Sequence, residues 1–230
     1  MKSERVKNSR IFGLVDGEVA AEFGEVARLI SCPDLVFELS KCEGIIFLGA
    51  HELENVLIGE SDFVDFAEVN VGLTELGSRQ KEDIERHLSR EAHRFFVAAL
   101  IKYAWLHLYS LGLTNVTRDV GHFRSDRGLV AEIQEAKHRI NQEFSDGGAE
   151  FRRQLKEIGG WAKRRMEYVK KSGGSARKEF VRLADGKGLL VRLQKRWKFW
   201  PGNYGLLLQR VYSSSFRTRF RDELLAITNA

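Results

Sequence analysis

The sequence predicts an α/β fold, in which a partial and mainly parallel sheet at the N-terminal end is followed by a helix-rich region. Two patterns indicate this fold. The apolar runs at 11–15 and 44–49 are short and end at polar or glycine residues, which is typical of strands buried on both faces. From about residue 50 onwards the apolar residues recur every three or four positions, which is the spacing of amphipathic helices.

Further elements follow from local patterns. A third strand is predicted at 35–40, and a short helix at 24–30. The segment 74–111 reads as one long helix or as two. The remaining predicted helices share a helical apolar spacing or a serine or glycine boundary, and they are 51–59, 128–144, 149–170, 186–197, 203–212 and 214–227.

The domain organisation is expected to be simple. Only two prolines occur, and there is no internal repeat or low-complexity tract, so nothing marks a linker. We expect a partial α/β segment at 1–60 and a helical region at 61–230 that packs on the same core.

Composition narrows the class of protein. With 230 residues, 43% of them hydrophobic and 30% charged, the chain can form a globular core. Its two cysteines, Cys32 and Cys42, do not make a disulfide framework, so we expect buried thiols and a reducing, cytoplasmic location. No signal peptide is predicted. Because Lys102 and His107 interrupt the most apolar window, 95–113, a buried helix is expected there and no membrane span.

The net charge of +5 hides an asymmetry between the two halves of the chain. Residues 1–115 contain 12 Lys and Arg against 19 Asp and Glu, whereas residues 116–230 contain 25 against 13. An acidic half followed by a basic half favours contact with nucleic acid. The alternative is that the basic helices only face water.

Two carboxylates follow the first predicted strand. Asp16 and Glu18 lie on the turn that ends it, and ligands of α/β sheets bind beyond the carboxyl ends of strands. Carboxylate oxygens are ligands that suit Mg²⁺ or Mn²⁺. The alternative is that Asp and Gly are ordinary turn residues.

A second polar group follows the predicted strand at 44–49. His51, Glu52, Glu54 and Asn55 lie at the start of a helix. Glu52 and Asn55 are three positions apart and therefore share a helix face, which would line the same crevice as the first two carboxylates. The alternative is the ordinary preference for negative charge at helix N-termini.

Basic and aromatic residues alternate in three stretches of the C-terminal half, 161–171, 195–200 and 216–221. Basic side chains contact phosphates, and aromatic rings offer stacking faces to unpaired bases. The alternative is that the aromatics belong to the core and the basic chains cover them. The residues predicted to bind nucleic acid are Lys163, Arg164, Arg165, Lys170, Lys171, Lys195, Arg196, Lys198, Arg217, Arg219 and Arg221.

The motifs "IFGLVDGE" and "HELENVL" together resemble the distal half of a Toprim nuclease domain, in the OLD-like branch (overcoming-lysogenization-defect nucleases and related anti-phage proteins). The family's Asp-x-Asp is matched by Asp16 and Glu18. Its Glu-Asn-type motif is matched by the stretch from Glu52 to Leu57. A Pro-Gly-Lys-like element is matched by "WPGN", with Asn203 at the lysine position, or alternatively by "DGKG", with Lys187.

The resemblance implies a metal-dependent nuclease or nuclease subunit in anti-phage defence. In it, Asp16, Glu18, Glu52, Glu54, Asn55 and Lys187 would be the catalytic set. Asp16, Glu18 and Glu54 would hold Mg²⁺ or Mn²⁺. DNA or RNA would be the substrate, and an ATPase or other protein a partner.

One part of the family pattern is missing. Toprim domains begin with a strand that bears a catalytic Glu, and only ten residues precede the first strand predicted here. The alternative function is therefore a non-catalytic component that binds nucleic acid or protein. Other chemistries lack their motifs, because the sequence has no phosphate-binding Gly-x-x-x-x-Gly-Lys loop, no Gly-x-Ser-x-Gly and no His-Glu-x-x-His.

Overall fold

A computed structural model of the chain describes residues 12–40, 42–60, 62–70, 78–112, 147–197 and 204–229, together with separate helical positions between 131 and 142. In these ranges the chain forms three strands, β1 (Gly13–Val15), β2 (Val36–Glu38) and β3 (Ile45–Leu48). Ten helices are described, and in chain order they are α1 (Val19–Glu22), α2 (Val26–Ser31), α3 (Leu53–Glu60), α4 (Phe63–Asn70), α5 (Ser78–Ser110), α6 (Gly147–Lys171), α7 (Ala176–Leu183), α8 (Gly186–Trp197), α9 (Tyr204–Ser213) and α10 (Ser215–Thr228).

The described strands form one mixed sheet with the order β1-β3-β2. β1 pairs with β3 in parallel, with Val15 opposite Phe47, whereas β2 pairs with β3 antiparallel, with Phe37 opposite Phe47. The predicted α/β class is confirmed, but the sheet is mixed and not mainly parallel. The reason is the short connection 39–44 between β2 and β3, because a parallel crossover needs a dozen or more residues.

The long helix α5 forms the centre of the core. It packs against α1, α4, α6, α7 and α8. Its second half is buried on nearly all sides, and Tyr103 and Trp105 are among the largest fully buried side chains. A helix that is apolar all round belongs inside a protein. One hydrophobic cluster accordingly joins residues of the sheet, such as Phe47, to residues of the C-terminal helices, such as Leu193.

Most predicted elements have a counterpart. The segment 74–111 contains a single helix that begins at Ser78, and the final helix begins after Ser214, whose side chain accepts a hydrogen bond from the N–H of Phe216 at 3.2 Å. Helices α1, α4 and α7 were not predicted. The predicted helix at 128–144 lies largely outside the described residues, and the "WPGN" stretch at 200–203 lies wholly outside them.

The two cysteines are free and buried in the described part of the chain, as predicted. No helix of the described ranges combines the length and the apolar character needed to cross a lipid bilayer.

Gly17 allows the turn after β1 to lie directly on the segment after β3. The N–H of Gly17 donates to the carbonyl of Ala50 at 3.1 Å, and the N–H of Glu18 donates to the carbonyl of His51 at 3.0 Å. A Cβ atom at position 17 would overlap the carbonyl oxygens of Leu48 and Ala50. Only glycine therefore keeps the two strand ends in register.

Replacing Gly17 by alanine is expected to destabilise the fold by about 2 kcal/mol or more, because the backbone must shift to accept the methyl group. The matched control is Gly159→Ala, where a Cβ meets nothing within 4 Å in the interior of α6. That change should be neutral or stabilise by roughly 0.5–1 kcal/mol through helix propensity. Urea denaturation measures both, and equal effects of the two changes would contradict the role given to Gly17.

Candidate functional site

The candidate site lies at the carboxyl ends of the neighbouring parallel strands β1 and β3. Asp16 and Glu18 follow β1, and His51, Glu52 and Glu54 follow β3. The hydrogen bonds of Gly17 and Glu18 with the Ala50–His51 backbone bring these two segments together. The sheet topology therefore places both predicted groups at one edge of the sheet, as ligand sites of α/β sheets require.

Glu52 is the most buried carboxylate of the site, with an exposed fraction of 1%. One oxygen accepts a hydrogen bond from the backbone N–H of Lys187, at the start of α8, at 2.8 Å. Its other oxygen lies 3.2 Å from Lys187 Nζ and 3.9 Å from Lys102 Nζ. A buried carboxylate needs such partners, because unpaired burial of charge is costly. The N-terminal end of a helix also favours negative charge.

Glu18 forms an ion pair with Lys102, which comes from the middle of α5. Burial raises the pKa of Glu18, and the positive charge of Lys102 offsets only part of that effect. Burial by itself would lower the pKa of Lys102, but the attraction of Glu18 outweighs it, so the pKa of Lys102 is raised and the lysine remains charged. Lys102 is thus a cation that bridges the carboxylates of Glu18 and Glu52.

His51 is fully buried and faces the same carboxylates. Its Nδ1 shares a hydrogen bond of 2.7 Å with the hydroxyl of Tyr103, and its Nε2 lies 3.4 Å from Oε2 of Glu18. Among the described residues no group forms a hydrogen bond with Nε2. Burial, together with the positive charges of Lys102 and Lys187, lowers the pKa of His51 well below its usual value. The imidazole is therefore neutral at physiological pH.

Asp16 and Glu54 lie at the periphery of the site. Asp16 accepts a hydrogen bond from the N–H of Leu53 at 3.1 Å and so stabilises the start of α3. Partial burial raises the pKa of Glu54, and the negative charges of Glu52 and Asp16 add to the effect. We call Asp16, Glu18, Glu52 and Glu54 the site carboxylates, and Lys102 and Lys187 the site lysines.

The side chain of Asn55 stabilises the fold around the site. Its side-chain oxygen accepts from the N–H of Glu52 at 2.7 Å, and its amide nitrogen donates to the carbonyls of Val181 and Ala184 at 2.6 and 2.9 Å. These three hydrogen bonds use the polar atoms of the buried side chain, so Asn55 joins α3 to the segment between α7 and α8. It holds Glu52 in place and offers little to a ligand.

Three ligand atoms of the site lie close enough to hold a cation. One atom each from Glu18, His51 and Glu52 lies within 4.8 Å of the others. Asp16 and Glu54, which the sequence assigned to the metal together with Glu18, are outside this group. The donors fit a divalent ion, since they combine two carboxylates with a neutral imidazole whose Nε2 forms no hydrogen bond with a described residue.

The basic residues predicted to bind nucleic acid lie on several helices. Lys163, Arg164, Lys170 and Lys171 are exposed on α6, and Lys195 and Arg196 are exposed near the end of α8. The arginines of α10 are also exposed, and Arg217 stacks 4.2 Å from the ring of Tyr212. Lys198 lies outside the described residues.

Arg165 differs from the other predicted basic residues. Its Nε donates to Oε1 of Glu179 on α7 at 2.8 Å, and both side chains are largely buried. Burial by itself would raise the pKa of Glu179, but the charges of Arg182 and Arg165 outweigh it and hold that pKa below its usual value. The guanidinium of Arg165 is thus engaged within the protein.

One face of α6 carries a shallow cavity of about 340 Å³. Its walls combine aromatic rings with guanidinium groups, and the residues that line it are Ser31, Pro33, Trp161, Arg164, Arg165 and Tyr168. The four residues from α6 recur at positions three or four apart, so they share one helix face. The ring of Tyr168 is 62% exposed and is therefore available for stacking.

The sequence placed His51 in the polar group that lines the crevice but did not assign it to the metal, and it gave no role in the site to Lys102 or Tyr103. For Lys102 a signal was present, because a lysine in the most apolar stretch of a buried helix needs a buried counter-charge. His51 lies within the motif that was singled out. Tyr103 had no signal, because its contact with His51 joins residues 52 positions apart.

Comparison of the chain with protein-family models, with curated proteins and with solved structures finds no match.

Stability should fall as the pH is lowered from 7.5 to 5, in the presence of a chelator. In the unfolded chain His51 takes up a proton near its ordinary pKa of about 6.5, whereas the folded protein keeps it neutral. The contribution of neutral His51 to the free energy of unfolding is therefore present above a pH of about 6.5. It is lost below that pH, by up to about 1.4 kcal/mol per pH unit. Urea denaturation across this range measures the slope.

The matched comparison is His51→Gln, which removes the titrating group and should flatten the slope. His87 and His107, whose pKa values are also lowered by burial, are present in both proteins and cancel in the difference. Identical slopes in the two proteins would contradict a buried neutral His51.

Proposed function

We propose that the chain is a divalent-metal-dependent nuclease, or a nuclease subunit, of the OLD-like Toprim type that acts in anti-phage defence. The observation that carries this proposal is the convergence of Glu18, His51 and Glu52 at the carboxyl ends of two parallel neighbouring strands. In a Toprim-like arrangement the metal site occupies that edge of the sheet. Mg²⁺ or Mn²⁺ is the proposed cofactor, and the proposed location is the cytoplasm.

The proposed roles follow from position and exposure. A bound divalent ion would supply positive charge to phosphate oxygens and lower the pKa of a water molecule. Glu18 and Glu52 would hold such an ion, whereas Asp16 and Glu54 are outside the group of three ligand atoms. Lys187, whose side chain is 52% exposed, can leave Glu52 and contact a phosphate. Asn55 positions Glu52 and takes no part in the chemistry.

The proposed substrate is DNA or RNA, held by the exposed basic residues of α6, α8 and α10. The cavity on α6 supports binding of an unpaired strand, because it offers the ring of Tyr168 for stacking and the guanidinium of Arg164 for a phosphate. An ATPase or another protein is the proposed partner.

A second candidate function is a non-catalytic nucleic-acid- or protein-binding component. The observation that favours it is the position of Lys102, whose ammonium group already lies between Glu18 and Glu52. In this case the lysine takes the place of the metal ion, and the site carboxylates serve the fold.

A cleavage assay decides between the two candidates. The chain is incubated with single- and double-stranded DNA and RNA in Mn²⁺, in Mg²⁺ or in a chelator. We expect metal-dependent cleavage, and Glu18→Gln should reduce it by about 100-fold or more, because several kcal/mol of charge stabilisation depend on the ion. Asp16→Ala is the second site variant.

The matched control for the cleavage assay is Glu85→Gln, which removes a half-exposed carboxylate paired with Arg177 away from the site carboxylates. Its activity should equal that of the unmodified chain. Cleavage that both site variants leave unchanged would refute the site assignment. Binding of nucleic acid without cleavage would favour the second candidate.

Arg164→Ala and Tyr168→Ala should each weaken the binding of a 20-nucleotide single strand. Loss of one stacked base corresponds to about 1–3 kcal/mol, or roughly 5- to 150-fold. Arg164→Ala removes one phosphate contact and should therefore reduce the slope of log K against the logarithm of the salt concentration by about 0.7. Tyr168→Ala should leave this slope unchanged. Fluorescence anisotropy at several salt concentrations measures both.

Arg86→Ala is the control for this binding experiment, since Arg86 is exposed on α5 and forms an ion pair with Asp83 one helical turn away. It should bind like the unmodified chain. If all three variants bind alike, the cavity on α6 is not part of the nucleic-acid surface.

A further inference from the structure

His51 presents a feature that the proposed nuclease does not by itself explain. Its side chain is fully buried, and no described residue forms a hydrogen bond with Nε2, which is directed at Glu18. A buried polar atom without a partner is costly, and in native proteins it has a specific cause such as a bound ion. The position of Nε2, beside two carboxylates, indicates a cation as that partner.

Tyr103 holds the imidazole in the orientation that ion binding needs. The hydroxyl of Tyr103 shares a hydrogen bond with Nδ1, the nitrogen on the other side of the ring. A histidine that binds a metal commonly uses its second nitrogen in this way, because the outer hydrogen bond fixes the ring and the tautomer. In the tautomer that binds an ion, Nδ1 carries the proton and donates a hydrogen bond to the Tyr103 hydroxyl, and the lone pair of Nε2 is directed towards Glu18.

The distances suit an ion after a small adjustment. The three ligand atoms lie within 4.8 Å of one another. Ligands on opposite sides of an ion with bonds of about 2.0–2.2 Å are separated by up to about 4.4 Å. A movement of a few tenths of an ångström would therefore close the group around an ion.

The kind of ion follows from the donors. Mg²⁺ prefers oxygen ligands and a nearly ideal octahedron, whereas an imidazole nitrogen with carboxylates suits ions such as Mn²⁺ and Zn²⁺. We propose that Glu18, His51 and Glu52 form a site for a divalent transition-metal ion, which binds Mn²⁺ and Zn²⁺ in preference to Mg²⁺ and in competition with the ammonium group of Lys102.

The ammonium group of Lys102 would compete with an ion for this site. Its ammonium group contacts Glu18 and lies 3.9 Å from Glu52, so it occupies the position of a cation between the same oxygens. Its side chain is 20% exposed, which gives it a route towards solvent when an ion enters. This proposal rests on the proposed nuclease function and specifies its metal cofactor. Because ion binding is measured without cleavage, either proposal can fail alone.

The experiment measures ion binding to metal-free protein. Titration calorimetry gives the Kd for Zn²⁺, and NMR of the histidine rings follows line broadening by Mn²⁺. We expect His51 to be broadened first, and Mn²⁺ to bind at least tenfold more tightly than Mg²⁺. Tyr103→Phe keeps the ring packing but removes the outer hydrogen bond, and should weaken Zn²⁺ binding roughly 10- to 100-fold.

Two further variants test the ligand and its competitor. His51→Gln should weaken binding of Zn²⁺ by about tenfold or more, whereas Lys102→Met should strengthen it by about tenfold, because it removes a positive charge beside the ion. His107→Gln is the matched control on α5, and it should bind Zn²⁺ as the unmodified chain does.

The proposal is overturned if neither the unmodified chain nor Lys102→Met shows broadening of His51 by Mn²⁺. It is also overturned if His51→Gln binds Zn²⁺ as tightly as the unmodified chain, or if Mg²⁺ binds better than Mn²⁺. Cleavage with Mg²⁺ by a chain that fails these binding tests would leave the nuclease in place and remove this site.

Discussion

The buried carboxylate of Glu52 is the constraint on which the site and much of the fold depend. Only 1% of the residue is exposed, so its charge must be balanced from inside the protein. The partners come from distant parts of the chain, namely the N-terminus of α8 with Lys187, and Lys102 in the middle of α5. The segment after β3 cannot hold Glu52 in this position unless both helices are in place.

This arrangement couples the fold to the site. Asn55 lies three residues after Glu52, accepts a hydrogen bond from the backbone of Glu52 and donates one to a carbonyl before α8. The backbone of Glu52 is therefore linked to the same segment that binds its carboxylate. Arg182 does the same for the end of β3, because its guanidinium donates to the carbonyls of Gly49 and Ile30 while its own carbonyl accepts from the N–H of His51. A change in one of these groups therefore acts on stability and on site geometry together.

The sequence predicted the features of the fold that depend on local patterns. The three strands and the long helices follow from apolar runs and helical spacing, which involve residues close in the chain. The antiparallel pairing of β2 was not foreseen, although the short connection 39–44 permits no parallel crossover. Short helices such as α7 carry too few apolar positions for a clear period, and packing against α5 and α6 holds α7 in place.

In the site, too, local patterns predict some features and miss those that depend on distant parts of the chain. The carboxylates after β1 and β3 were identified because they follow strands, and the parallel pairing of those strands brings Glu18 and Glu52 together. The partners of these two residues come from α5 and α8, at separations that no local pattern reveals. Asn55 was assigned to the site because of its position on the helix, but its side-chain amide donates a hydrogen bond to the backbone of another segment.

Charge balance distinguishes the two proposed functions most directly. The four site carboxylates outnumber the two site lysines, and the raised pKa values of Glu18 and Glu54 reflect burial together with neighbouring negative charge. A divalent ion would offset two of these negative charges. Lys102 stabilises the site without metal, and an ion that replaced it would meet both carboxylates and Nε2 of His51 at once. The excess of negative charge therefore supports the proposed metal site.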